Sequence, residues 1–94
     1  MDARGNLNFS LERSTMSVEL KPIMDALRKL AADTTIDLAG KLYNADLQIK
    51  SWSAQARSDR PRALQALERE VAPEGADDYW SSVCDIIRQQ INAA

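Results

Sequence analysis

Asp77, Asp78 and Asp85, the lone thiol of Cys84 and the Gly40-Lys41 pair are the groups in this 94-residue chain whose types and spacing come nearest to catalytic or ligand chemistry. The chain has no histidine. That removes the common general base near neutral pH, the Ser-His-Asp and Cys-His nucleophile systems, and every histidine-containing metal site. One cysteine cannot build a thiolate zinc site, and Cys84 falls beside Trp80 and Ile87 on one helical face, where a buried, unreactive thiol is expected. The three aspartates lack the ligand spacing of a calcium loop, and Asp77 and Asp78 have a structural reason to stand at a helix start, where the helix dipole favours acids. An acid-based enzyme or metal site on Asp77, Asp78 and Asp85 is the third-ranked reading. The run "AGKLYN" has the Gly-Lys pair but not the second glycine or the Ser/Thr of a phosphate loop. The expectation is a protein that is not an enzyme and carries no cofactor or metal.

The elements that must position these residues are helical. Ala, Leu, Gln, Glu, Lys and Arg dominate, and the few β-branched and aromatic residues leave little material for a sheet, so the chain is predicted to be all-α. A chain of this length buries roughly 60 to 65% of its unfolded surface, enough for one small core but not for a deep cleft. Twelve Lys and Arg against fourteen Asp and Glu give a net charge of −2, so no overall positive field favours nucleic acid or an anionic membrane. No apolar run approaches a membrane span, no signal-peptide core is visible, and one cysteine suits a reducing compartment. A cytoplasmic protein is expected.

Residues 1–16 have no sustained period and read as a flexible arm, although Leu7, Phe9 and Leu11 alternate as in a short extended segment; residues 17–94 read as a single helical domain. A first helix opens at Pro22, where proline costs no hydrogen bond, and runs to about Ala32 with Leu20, Ile23, Leu27 and Leu30 on one stripe. Thr34 and Asp37 form an approximate capping box. A long central helix over about residues 35–57 follows, carrying Leu38, Leu42, Ala45, Ile49, Trp52 and Ala56 at heptad-like spacing. At 22 residues it would measure roughly 33 Å. A third helix is predicted over about residues 61–72, between Pro61 and Pro73, and a fourth over about 77–92 with Trp80, Val83, Cys84, Ile87 and Ile91 on one face. The architecture is a bundle of about four helices.

Residues 34–56, "TTIDLAGKLYNADLQIKSWSAQA", support two functions. Read as one continuous helix, they carry a flank of Ile36, Tyr43 and Leu47 beside the main seam, more apolar surface than short neighbours can cover. Tyr43, Leu47 and Trp52, with Tyr79 and Trp80, then become candidates for binding a protein partner or for homodimerisation. Glu74, Asp77, Asp78 and Asp85 make an acidic region that would complement a basic partner or the basic elbow of a second copy. Read as a DNA-binding helix-turn-helix over residues 36–56, the same stretch turns near Tyr43 and Asn44, and Lys50, Arg57, Arg60 and Arg62 would meet phosphates. Its apolar positions resemble such motifs at Leu38, Ala39, Leu42, Ile49 and Trp52, but Tyr43 stands where the turn glycine usually sits. Spacing favours the continuous helix, whose one irregularity is Gly40, at about 1 kcal/mol relative to Ala.

The run Val18-Glu19-Leu20-Lys21-Pro22-Ile23, with Thr35-Ile36-Asp37 as an extension, resembles the opening of the TraM-like quorum-sensing antiactivators. It covers about a tenth of the chain, and the C-terminal half does not follow the pattern. The resemblance implies a small all-α dimer that binds a transcriptional activator and blocks its access to DNA; it carries no functional residue across.

Overall fold

The computed structural model describes residues 18–93, and among them the chain forms four α-helices and no strand. These are α1 (Leu20–Ala32), α2 (Leu38–Ala54), α3 (Arg60–Val71) and α4 (Asp78–Ala93), with 3-10 turns at Arg57–Asp59 and Ala72–Glu74. The small all-α bundle expected from composition is the architecture found. The expected arm, residues 1–16, lies outside the described residues.

Each helix end follows from a local contact. After α1 the Asp33 carboxylate accepts both the backbone N–H and the hydroxyl of Thr35, so the chain turns there instead of starting the next helix. Asp37, not Thr34, is the N-cap of α2, its carboxylate accepting from the Gly40 N–H at 2.9 Å. The other end of α2 unwinds through Gln55 and Ala56 to Arg57, whose φ of 54° is left-handed. For a residue with a Cβ that conformation costs about 1 kcal/mol. The central helix is therefore 17 residues, about 25 Å, and not the 22 expected. With 16 residues, α4 is nearly as long. Pro61 sits in the first turn of α3, and α4 opens on Asp77, whose carboxylate accepts from the Trp80 N–H at 2.9 Å.

The core gathers Leu27 of α1, Ile49 of α2, Leu64, Leu67 and Val71 of α3, and Val83 and Ile87 of α4, all fully buried. Each contributes about 1.5–3 kcal/mol relative to an exposed position. The predicted seam of α2 turns inward at Ala45, Ile49, Trp52 and Ala56. Polar contacts then fix the helices against one another. Trp52 Nε1 donates to the Glu19 carbonyl at 2.8 Å, tying α2 to the entry of α1. Tyr79 Oη donates to the Leu27 carbonyl at 2.7 Å, and Lys41 Nζ reaches the Ala31 carbonyl at 2.9 Å. The buried Gln90 amide donates to the carboxylate and carbonyl of Asp46, linking α4 to α2.

Candidate protein interaction surface

In α1, α3 and α4 the apolar side chains collect on one face, whereas in α2 they occupy two. Tyr43 is 67% exposed and Leu47 46% exposed, one helical turn apart on the side away from the core. Gly40 precedes Tyr43 by three residues and lies under Ile36. A Cβ at Gly40 would stand 2.4 Å from Ile36 Cγ2, so the isoleucine occupies the space that the glycine leaves. The outward line of α2 is thus Gly40, Tyr43, Leu47, Lys50 and Ala54, stepping by 3, 4, 3 and 4, with Ile36, ahead of the Asp37 cap, folded over Gly40. Every position lies two residues before a position of the buried seam. Two residues are about 200° of helix rotation, so the two seams sit back to back.

The outer seam has little charge to hold it in water. Lys50 is its one ionic side chain, and it pairs with Asp46 one turn earlier at 3.3 Å. Ala39, Gln48, Ser51 and Gln55 beside it are exposed and neutral. On the α1 side the surface dips into a shallow groove of about 160 Å³ between Pro22, Ile23 and Ala26 and the α2 residues Gln48, Ser51, Trp52 and Gln55. A second hollow of about 230 Å³ continues it towards Leu30 and Asp33.

No protein-family model, curated protein or solved structure matches the chain.

The structure divides the five residues proposed for partner binding. Tyr43 and Leu47 are on the surface, but Trp52, Tyr79 and Trp80 are each more than nine-tenths buried. The tryptophans and Tyr79 fill the core because helices of similar length close over the inner seam, and Tyr79 and Trp80 meet edge to face at 4.9 Å. Leu38, at 41% exposure, lies at the end of the inner seam, beyond its cover.

Among the described residues, 36–56 do not form the helix-turn-helix. α2 runs unbroken through Tyr43 and Asn44, Asn44 Nδ2 donates to the Gly40 carbonyl one turn back, and Ala45 is fully buried. Of the basic elbow, Lys50 is engaged with Asp46 and Arg60 Nε donates to Ser53 Oγ at 3.1 Å, while Arg57 and Arg62 are exposed at the α2–α3 corner.

The acidic region is likewise divided among structural contacts. Glu74 meets Arg28 at 2.6 Å, Asp85 lies 3.6 Å from Arg88, and Asp77 caps α4. Among the described residues no group of three acids or thiols converges to hold a metal ion. Cys84 is half-buried beside the core, and burial pushes its thiol pKa up, so the thiolate is disfavoured. No helix among the described residues is long and apolar enough to cross a membrane.

Reading the sequence alone placed Ile36, Tyr43 and Leu47 as a flank of the inner seam and missed the line that Tyr43 and Leu47 belong to. The signal was present as the same stepping shifted by two residues. Gly40, Lys50 and Ala54 concealed it, because none of them is a large apolar residue.

Proposed function

We propose that the protein is a non-enzymatic helical interaction module that binds another protein through the outer face of α2. The observation that carries this is the exposure of Tyr43 and Leu47 together, on a line with no unpaired charge, in a helix whose opposite face already fills the core. Isolated surface leucines are ordinary, whereas an aromatic and a leucine side by side on a charge-poor helix face are what interface anchors look like. Among the described residues Glu74 and Asp85 are in ion pairs, Asp77 caps a helix and burial disfavours the Cys84 thiolate, so these groups have structural roles that do not compete with this reading. The resemblance of Val18–Ile23 to the TraM-like antiactivators supplies the finer proposal: a cytoplasmic, dimeric regulator whose larger partner is a transcriptional activator.

A photo-crosslinking amino acid placed at Tyr43 or Leu47 in the intact cell tests the surface, with Gln89 on the exposed side of α4 as control. Adducts to a polypeptide at 43 and 47 and none at 89 are expected. Equal labelling at all three sites, or none at any, overturns the assignment. Trp52 is unsuitable as a probe, because its replacement removes part of the core and the bond to Glu19.

A further inference from the structure

We infer that the groove between α1 and α2 is the seat of this chain's own residues 7–11, which double back from Val18 and lie along it as an extended strip. The inference does not depend on the interaction-module proposal. Val18, where the described chain begins, packs against the core, and the next carbonyl, that of Glu19, accepts the Trp52 indole N–H at 2.8 Å. Trp52 is itself a wall of the groove. The preceding residues therefore join the bundle at the mouth of the groove. From there the two hollows follow α1 from Pro22 past Ala26 to Leu30 and Asp33, a rise of about 16 Å.

The segment fits that length and that chemistry. Leu7, Phe9 and Leu11 alternate with Asn8 and Ser10, so in an extended strip all three apolar side chains share one side. They span about 13 Å at the rise of a strand. Residues 12–17 form a tether of up to about 20 Å, enough to reverse direction and enter the groove. Leu11 then falls near Pro22 and Gln55, Phe9 near Ala26 and Ser51, and Leu7 towards Leu30. One wall offers apolar contact through Pro22, Ala26 and the indole, whereas Gln48, Ser51 and Gln55 opposite are exposed, uncharged and supplied with donors and acceptors. An extended strip uses both, because its side chains meet the apolar wall while its backbone N–H and C=O groups, unpaired outside a sheet, meet the amides and the hydroxyl. The hollow between α3 and α4 does not suit it. Glu68 and Arg88 line that hollow as an ion pair at 2.6 Å, and leucine and phenylalanine laid over them would strip hydration from both charges. The strip also borders the outer face of α2, since Ser51 follows Leu47 by one helical turn.

Disulfide trapping in the full chain with Cys84→Ala tests the seat. Phe9→Cys is combined either with Ser51→Cys in the groove or with Asp25→Cys, an exposed neighbour of Ala26 that does not line it, and circular dichroism checks that both proteins are folded. The bond between 9 and 51 within one chain is expected to form about tenfold faster than that between 9 and 25, because an undocked arm reaches both sites alike. Equal rates, no bond in either protein, or 9–51 bonds formed only between two chains overturn the inference. A second variant leaves the bundle untouched, with Leu7→Ser, Phe9→Ser and Leu11→Ser together in the full chain. The amide resonances of Ala26, Gln48, Ser51 and Gln55 should shift from their positions in the unsubstituted protein while those of Gln65 and Asn92 stay in place. Unchanged groove resonances overturn it too. Neither measurement reads the photo-adducts at Tyr43 and Leu47, so the seat can fail while the interaction-module proposal stands.

Discussion

Burial of the Tyr79 hydroxyl against the Leu27 carbonyl has a consequence that can be titrated. Desolvation, reinforced by the negative charge of Asp77, pushes the Tyr79 pKa up to about 12 from an ordinary value of 10.0. Between those values the folded state holds its proton while the unfolded chain releases it. The stabilisation is therefore complete below about pH 10 and is lost as pH rises towards 12. Tyr79→Phe should remove that alkaline slope and, by deleting a buried hydrogen bond, cost about 1–2 kcal/mol at neutral pH. Urea unfolding of both proteins at pH 7 and pH 11 measures the two effects; an unchanged slope would mean that the hydroxyl is not buried. Cys84 is shifted in the same direction by the same cause, which explains why a lone cysteine beside a core need not be reactive.

For a helix, the informative residue is Gly40. Replacing an exposed helical glycine by alanine ordinarily gains about 1 kcal/mol. Here the added Cβ would stand 2.4 Å from Ile36 Cγ2, and a β-branched side chain has few rotamers with which to retreat. Gly40→Ala is expected to destabilise by about 1 kcal/mol or more, whereas the same change in an Ile36→Ala background should stabilise. A double-mutant cycle by chemical denaturation gives the coupling, and additive effects would refute the contact. The glycine thus admits a side chain from the preceding turn. The ends of α2 were misplaced for related reasons. Asp33, Thr34, Thr35 and Asp37 are all good caps, and only the bonds made by Asp33 and Asp37 choose among them.

Across the whole molecule, ion pairs join elements distant in the chain. Arg28 of α1 holds Glu74 ahead of α4, and Arg88 of α4 holds Glu68 of α3, each at 2.6 Å. The hydrogen bond and charge of Arg28 lower the Glu74 pKa below its ordinary 4.5, and Lys21 and Thr35 lower those of Asp25 and Asp33. A lowered folded pKa gives stability that is present above the ordinary carboxylate range and lost as pH falls through the folded value. Thermal unfolding should therefore move to lower temperature on acidification below about pH 4.5, and Glu74→Gln should flatten that dependence. These pairs are exposed, so added salt should weaken the effect; an acid slope indifferent to both salt and Glu74→Gln would assign it elsewhere.

Helix content, the stripe of α1, the inner seam of α2, and the acids and prolines at helix starts were legible in the residues themselves. Each depends on side chains three or four positions apart, and such spacing reports directly which of them share a face. The continuity of α2 through Tyr43 was legible for the same reason. Which apolar face meets another helix is a different kind of quantity. Trp52, Tyr79, Trp80, Tyr43 and Leu47 are alike in type, and their separation into core and surface depends on how closely α1, α3 and α4 approach α2. Periodicity can show that a helix has two apolar faces; only the packing of chain segments up to 52 residues apart, as in the bond from Tyr79 to Leu27, decides which of them is left for a partner.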